Sequence, residues 1–428
     1  MLIALDWTRP KDPPLSLGHA SILANLQAHH IDVRAKQWSV NHDCFDSYAV
    51  VNFVLSLSPT TNTYVAFGVF VWNEYYVQKI IQTLKKHKFP GKIILGGPQI
   101  SYVKSQIETF YPEADIFIRG YAEDALTQFL LDEEDFPTIR GIHYANQPSL
   151  NLTAITDLTH LPSPFLGGIL SKQKFIRWET QRGCPFRCSF CQHREADPTQ
   201  TRRAFPSQRI QEEINWLIEE NIVQDIAVLD PTFNSGDSYY AVLTQFAKRQ
   251  YKGKLALQCR IEMVTPAFLE AVQAININGR VVLEFGLQTI HKKEQSFIQR
   301  PNNMNKVSTI LQEVEQYGIE SEVSLIFGLP GQTLQSFKES VNFCQNLGVK
   351  IIHAFPLMLL RGTLLYEQKK ELGLIESTDV NFTKIPRIQN NIPHVISSPT
   401  FSYEDWLKMG ELAEQLEIQG NATHNSKA

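Results

Sequence analysis

The chain has 428 residues, enough for two or three domains. With 43 % hydrophobic and 20 % charged residues its composition supports large buried cores and excludes a disordered polymer. A net charge of −4 offers no general attraction to nucleic acid, and no apolar run reaches the roughly eighteen residues of a membrane span.

Met-Leu-Ile-Ala-Leu-Asp-Trp at the N-terminus lacks the basic and apolar regions of a signal peptide and reads as a first strand. Three of the six cysteines fall within eight residues, which argues against a secreted disulfide framework. A reducing, cytoplasmic setting is the expectation, with no membrane or nucleic-acid partner.

Residues 1–144 alternate short apolar runs with helical patterns, the mark of a parallel sheet wrapped by helices. Strands are predicted at Leu2–Trp7, Asp32–Trp38, Tyr64–Val71, Lys92–Leu95 and Asp115–Arg119. Helices are predicted at Leu17–His29 and Glu74–His87, the second carrying Val77, Ile80, Ile81 and Leu84 on one face. Lys85, Lys86 and Lys88 then offset the dipole at its C-terminal end. Ligands bind at the carboxyl ends of such strands. The loops there hold Gly68, Trp72-Asn73, Gly96-Gly97-Pro98 and Gly120-Tyr121-Ala122-Glu123.

Residues 145–172 are rich in Pro, Ser, Thr and Asn and read as a linker. From residue 173 to 375, six strands alternate with helices. The strands are Phe175–Gln181, Ile226–Leu229, Lys254–Arg260, Arg280–Leu287, Glu322–Phe327 and Ile351–Leu357. The helices include Pro206–Glu220, Thr265–Asn276 and Thr333–Leu347, with Thr265 and Thr333 as caps. This is an incomplete form of the eight-unit parallel barrel, whose chemistry sits at the carboxyl ends of the strands. Residues 376–428 form a C-terminal extension with turn chemistry that includes Pro386, Pro393 and Pro399. A helix then starts near Ser402, with Asp405 answering the cap and Phe401 packing on Trp406.

The first of the six strands runs into Gly183-Cys184-Pro185-Phe186-Arg187-Cys188-Ser189-Phe190-Cys191-Gln192-His193. Three thiols at Cys-x3-Cys-x2-Cys spacing would repel one another as bare thiolates, so a metal centre is the natural reason for them. Iron–sulfur clusters usually take four cysteines, and three leave one iron open to another ligand. The bland alternative is a zinc knuckle with His193 as the fourth ligand.

With Phe190 as its aromatic, the cysteine loop resembles that of the radical S-adenosylmethionine (radical SAM) enzymes. The resemblance implies a 4Fe–4S cluster on Cys184, Cys188 and Cys191, with SAM on the open iron and a 5′-deoxyadenosyl radical as product of its cleavage. It also implies SAM contacts from Phe190, Asp230, Thr232, Arg260, Glu284, Gln288 and Gly328, and an electron donor such as flavodoxin or ferredoxin.

The ordered loops of the first third, with Gly141-Ile142-His143-Tyr144 and the exit Asp157–Pro162, resemble the cobalamin-binding domain of a radical SAM subclass. That resemblance implies cobalamin contacts from Gly68, Trp72, Asn73, Gly96, Gly97, Pro98, Gly120 and Glu123. No Asp-x-His-x-x-Gly occurs, so no histidine of that loop would ligate cobalt from below. The expected α/β architecture is a Rossmann-like (flavodoxin-like) cobalamin-binding domain, a partial (β/α)6 TIM-type radical SAM barrel and a short helical extension.

The function so implied is methylation of an unactivated carbon of a small-molecule or peptide substrate. One SAM would methylate the corrinoid and a second would give the radical. Two alternatives stand beside it. One is a radical SAM enzyme without functional cobalamin that catalyses rearrangement, cyclisation or oxidation. The other is a non-catalytic metal-binding or scaffold protein.

Overall fold

A computed structural model of the chain describes residues 1–9, 12–42, 44–103, 105–148, 151–194, 196–197, 199–378 and 392–425. Pro386 and the turn segment around it lie outside the described residues. The chain divides into two compact units. One is Met1–Lys172 with Glu195–Trp216, and the other is Gln173–Arg194 with Leu217–Ala428.

The first unit is built on β1 (Leu2–Asp6), β2 (Ala35–Ser39), β3 (Tyr64–Gly68), β4 (Lys92–Gly96), β5 (Ile116–Ile118) and β6 (Ile142–Tyr144), in spatial order β2-β1-β3-β4-β5-β6. All pairings are parallel except the antiparallel β5–β6 edge. Between the strands run α1 (Leu17–Ala28), α2 (Ser47–Ser56), α3 (Glu74–Lys86), the single turn α4 (Pro98–Ser101) and α5 (Ala122–Leu131).

Period-two alternation divides the strand side chains between two cores. Ile3, Leu5, Val65, Phe67, Ile93, Leu95 and Phe117 pack on one face with Val77, Ile80, Ile81 and Leu84 of α3. Leu2, Ala66, Ile94, Ile116 and Ile118 pack on the other with Leu126 and Phe129 of α5. The strand order reverses at β1/β3, the switch point where such sheets open a ligand crevice.

The predicted strand Tyr64–Val71 stops at Gly68, because the next residues turn back under a side-chain staple. The amide of Asn73 donates to Leu5 O (2.9 Å) and Gly68 O (3.0 Å) and accepts from Phe70 N (2.8 Å). Three of this unit's helices, α2, α4 and α5, have no sequence expectation. The predicted linker is also part of it. Ala154, Thr156, Leu158, Leu161 and Phe165 are buried, and Ala154 bridges Gly120 in parallel. A stretch poor in periodicity still buries its apolar side chains one at a time, so composition hid its packing.

The second unit contains a parallel six-stranded sheet whose spatial order follows the sequence. Its strands are β7 (Phe175–Trp178), β8 (Asp225–Val228), β9 (Lys254–Cys259), β10 (Arg280–Gln288), β11 (Glu320–Phe327) and β12 (Ile351–Pro356). Helices α6 (Ser238–Lys248), α7 (Pro266–Asn276), α8 (Lys292–Phe297), α9 (Met304–Gln316) and α10 (Leu334–Asn346) link them. Strands that add one after another with helical crossovers make the partial barrel, as β7 to β12 do.

Thr265 and Thr333 cap α7 and α10, Thr333 through a capping box with Ser336. Cys344 is fully buried on α10 with Phe337 and Val341. The C-terminal helix α11 (Tyr403–Asn425) is 23 residues long and starts with the Ser402–Asp405 reciprocal pair. Trp406, fully buried, packs on Phe327 at 5.8 Å between ring centroids. Among the described residues no helix is long and apolar enough to cross a membrane.

Candidate functional site

The predicted strand Phe175–Gln181 is two pieces. β7 ends at Trp178, and Gln181–Gly183 resumes an extended path that leads into the cysteine loop. Asp230, just past β8, makes the break. Its carboxylate accepts from Thr180 N (2.8 Å), Thr180 Oγ1 (2.5 Å) and Gln181 N (3.2 Å). Complete burial pushes this carboxyl up to about 7 against the pull of those donors. Gln181 Nε2 also donates to Thr232 O (3.0 Å). The segment 230–232 therefore fixes the direction in which the chain enters the loop.

On its other side the loop is tied to the end of α8. Ser189 N donates to Ile298 O and Ser189 Oγ to Phe297 O, each at 2.9 Å. Leu365 N donates to Ser189 O (2.9 Å), and Gln192 Nε2 to Arg361 O (2.8 Å).

Each of the three sulfurs has its own polar neighbour. The Thr232 hydroxyl lies 3.4 Å from Cys184 Sγ. Arg300 Nη1 donates to Cys188 Sγ at 3.5 Å, and His193 N donates to Cys191 Sγ at 3.3 Å. Burial, and then the neighbouring Cys188 and Cys184 sulfurs, push the Cys191 thiol up to about 11 against that amide and Arg300. Hydrogen bonds to sulfur suit an iron–sulfur cluster, which would supply the positive charge that three thiolates need to ionise together.

Among the described residues no three His, Cys, Asp or Glu side chains gather as a single metal ion would require. His193, the fourth ligand of the zinc alternative, is exposed. Cys184, Cys188 and Cys191 would be the residues that hold an iron–sulfur cluster.

The residues expected to contact SAM are spread over the carboxyl ends of successive strands. Phe190 is half-buried inside the loop, and Thr232 touches Cys184. The Arg260 guanidinium sits 4.5 Å over the Phe186 ring, which brings the end of β9 to the cysteine loop. It is already engaged, giving Nε and Nη2 to Glu262 (2.9 and 3.3 Å) and Nη2 to Pro301 O (2.6 Å). Asp230 is likewise taken up by Thr180 and Gln181, so its carboxylate serves the fold of the loop.

Glu284 lies on β10 in register with Gln258 of β9 and Glu322 of β11, half-buried. Gln288 closes β10 at φ +71° after a bulge, and its amide folds over Gly286, where an added Cβ would lie 2.6 Å from Nε2. Gly328 ends β11 at φ +88°, and its N–H donates to Gln332 Oε1 (2.7 Å). Gln332 is fully buried and donates to Glu294, which also accepts from Thr289 Oγ1 and Ser336 Oγ at 2.5 Å each. These half-buried carboxamide and carboxylate groups, beside turns without a Cβ, suit the hydroxyls and amines of SAM.

In the first unit the expected cobalamin residues divide by role. Asn73 and Glu123 are consumed by the fold. Glu123 accepts from Ser21 Oγ (2.9 Å) and Thr156 Oγ1 (3.2 Å). Gly97 and Gly120 hold left-handed turns where a Cβ would strike Val69 O at 2.7 Å and Ala154 O at 2.3 Å. Pro98 starts α4, and Gly96 ends β4. Gly68 and Trp72 stay half-buried after β3. The Trp72 ring stacks on Phe70 at 4.5 Å, and its indole Nε1 is buried without a protein hydrogen-bond partner among the described residues. A buried donor awaiting an acceptor, beside cramped glycine turns at a switch point, fits a large polar cofactor.

Sequence reasoning missed Arg300, Thr180 and the Glu294–Gln332 pair. None belongs to a motif, and each acts on a residue distant in the chain or through backbone atoms.

Residues 178–344 match the Radical SAM superfamily model. The 2-(S-pantetheinyl)-carbapenam-3-carboxylate methyltransferase of Streptantibioticus cattleyicolor is 24 % identical over 311 residues, covering 65 % of this chain and 44 % of that protein. The cobalamin-dependent radical SAM methyltransferase TokK of Streptomyces tokunonensis has the same identity and coverage. The chain thus spans less than half the length of these two relatives.

An uncharacterized methyltransferase of Pyrococcus horikoshii is 22 % identical over 83 % of this chain and 78 % of its own. Among solved structures, the radical SAM methyltransferase TsrM of Kitasatospora setae, with tryptophan substrate and a SAM analogue bound, superposes with a TM-score of 0.70. The match covers 89 % of this chain and 78 % of that one at 15 % identity. The three-cysteine loop and most of the partial parallel barrel that follows it thus lie within residues 178–344, the stretch that matches the Radical SAM superfamily model.

Proposed function

We propose that this chain is a cobalamin-dependent radical SAM enzyme that methylates an unactivated carbon of a small-molecule or peptide substrate. The observation that carries the reading is the cysteine loop. Its three sulfurs each meet a separate polar neighbour and lie within electrostatic reach of one another. When bound, a 4Fe–4S cluster with SAM supplies a 5′-deoxyadenosyl radical, and a corrinoid supplies the methyl group.

The chain's own residues bind and orient. Cys184, Cys188 and Cys191 would hold the cluster, and Asp230 and Ser189 brace the two sides of their loop. Glu284, Gln288 and the Gly328 turn would present their polar groups to SAM. The turns at Gly97 and Gly120, with the Trp72 indole N–H, would receive the corrinoid. TokK, named as cobalamin-dependent, and TsrM, solved with cobalamin and a [4Fe–4S] cluster bound, support the corrinoid part of the reading. An external one-electron donor of the flavodoxin or ferredoxin kind completes the set of partners.

The test is anaerobic purification from cells grown with cobalamin, followed by SAM and a chemical reductant. Wild type is expected to carry iron, sulfide and corrinoid absorbance and to release 5′-deoxyadenosine. Cys188→Ala is expected to lose iron and to release none. Equal 5′-deoxyadenosine from the variant would overturn the radical assignment. Iron without corrinoid would overturn the cobalamin part alone.

A further inference from the structure

We infer that Arg300 sets the reduction potential of the cluster through its hydrogen bond to the Cys188 sulfur. The inference rests on the cluster assignment above and concerns one residue outside every sequence motif.

Arg300 Nη1 donates to Cys188 Sγ at 3.5 Å, and Nη2 donates to Gly286 O at the end of β10. The fork is aimed by its own chain segment. Phe297 O and Ile298 O, just before Arg300, accept from the side chain and amide of Ser189, just after Cys188. Contacts at 297, 298 and 300 thus meet 188 and 189, so the guanidinium is held against that sulfur rather than swinging past it. The same cation acts on Cys191.

Of the three polar neighbours of the cysteine sulfurs, the Thr232 hydroxyl and the His193 amide are neutral, and Arg300 alone is charged. One-electron reduction from [4Fe–4S]2+ to [4Fe–4S]1+ adds one negative charge to the cluster and its thiolates. No bond is made or broken, and the electron comes from the external reductant. A fixed positive charge at a ligand sulfur stabilises the reduced form more than the oxidised one, so it raises the potential. A charge-assisted hydrogen bond is about twice as strong as a neutral one, so removing Arg300 should outweigh removing the Thr232 hydroxyl.

The experiment is a dithionite titration of the anaerobically reconstituted full chain without SAM, followed by electron paramagnetic resonance, with iron and sulfide counted in each sample. Arg300→Met is expected to shift the one-electron equilibrium roughly tenfold toward the oxidised cluster, about 59 mV more negative. Arg300→Lys should recover most of that shift, and Thr232→Val should move the potential less. Arg300→Gln keeps an N–H donor without the charge and must also titrate lower, which covers the case in which the Met variant holds no iron. A full cluster with an unmoved potential in the neutral variants, or a larger shift in Thr232→Val, overturns the inference alone. A wild-type chain that builds no four-iron cluster overturns the cluster assignment and this inference with it.

Discussion

Asp230 grips Thr180 at two atoms, accepting its hydroxyl at 2.5 Å on one carboxylate oxygen and its amide at 2.8 Å on the other. Thr180 lies four residues before Cys184, and the pair turns the chain out of β7 into the cysteine loop. A residue expected to meet SAM is therefore a brace for the loop that carries the sulfurs.

Replacing Asp230 by Asn puts an NH2 where an acceptor stood, so a buried donor of Thr180 or Gln181 loses its partner. The expected cost is about 2 kcal/mol, with reduced iron uptake. The carboxyl is raised from 3.8 to about 7, chiefly by burial. It therefore binds its proton more tightly folded than unfolded. Its contribution is fully present below the unfolded value and is lost as pH rises through the folded one. Urea denaturation of wild type and Asp230→Asn at several pH values should show the stability gap narrowing between about pH 4 and about pH 7. A gap that widens would contradict the burial argument.

Gly97 and Gly168 both hold positive φ, at +92° and +72°, yet their surroundings differ. An Ala Cβ at Gly97 would lie 2.7 Å from Val69 O and 2.8 Å from Val69 N, whereas nothing lies within 4 Å at Gly168. Gly168→Ala should cost only the left-handed penalty, about 1 kcal/mol. Gly97→Ala adds an overlap with β3–α3 backbone that cannot swing away, for a total of about 3 kcal/mol. Chemical denaturation ranks the two. Corrinoid retention should fall in Gly97→Ala and stay unchanged in Gly168→Ala.

Gln332 saturates its carboxamide. It accepts from Gly328 N (2.7 Å) and Leu329 N (3.2 Å) and donates to Ile326 O (3.1 Å) and Glu294 (3.3 Å). Gln332→Leu keeps the bulk and strands two buried amides, a loss of about 3 kcal/mol. The melting temperature should drop, and hydrogen exchange at the Gly328 amide should quicken by at least an order of magnitude. Unchanged exchange at Gly328 would mean that the turn is held by other contacts.

Much was legible before any coordinates. Short apolar runs alternating with helical patterns placed the strands of the first sheet, and the caps Thr265, Thr333 and Ser402 stood where the helices begin, because these signals act between near neighbours. Cys-x3-Cys-x2-Cys spacing marked the loop for the same reason, since its three cysteines lie within eight residues. Tertiary structure decided the rest. It gave the carboxylates of Asp230 and Glu123 and the amide of Asn73 to backbone and hydroxyl partners, and it packed residues 145–172 into the first unit. It also set Arg300 against Cys188, 112 residues away. Such assignments depend on which strand ends become neighbours, and only the closed sheet order fixes that.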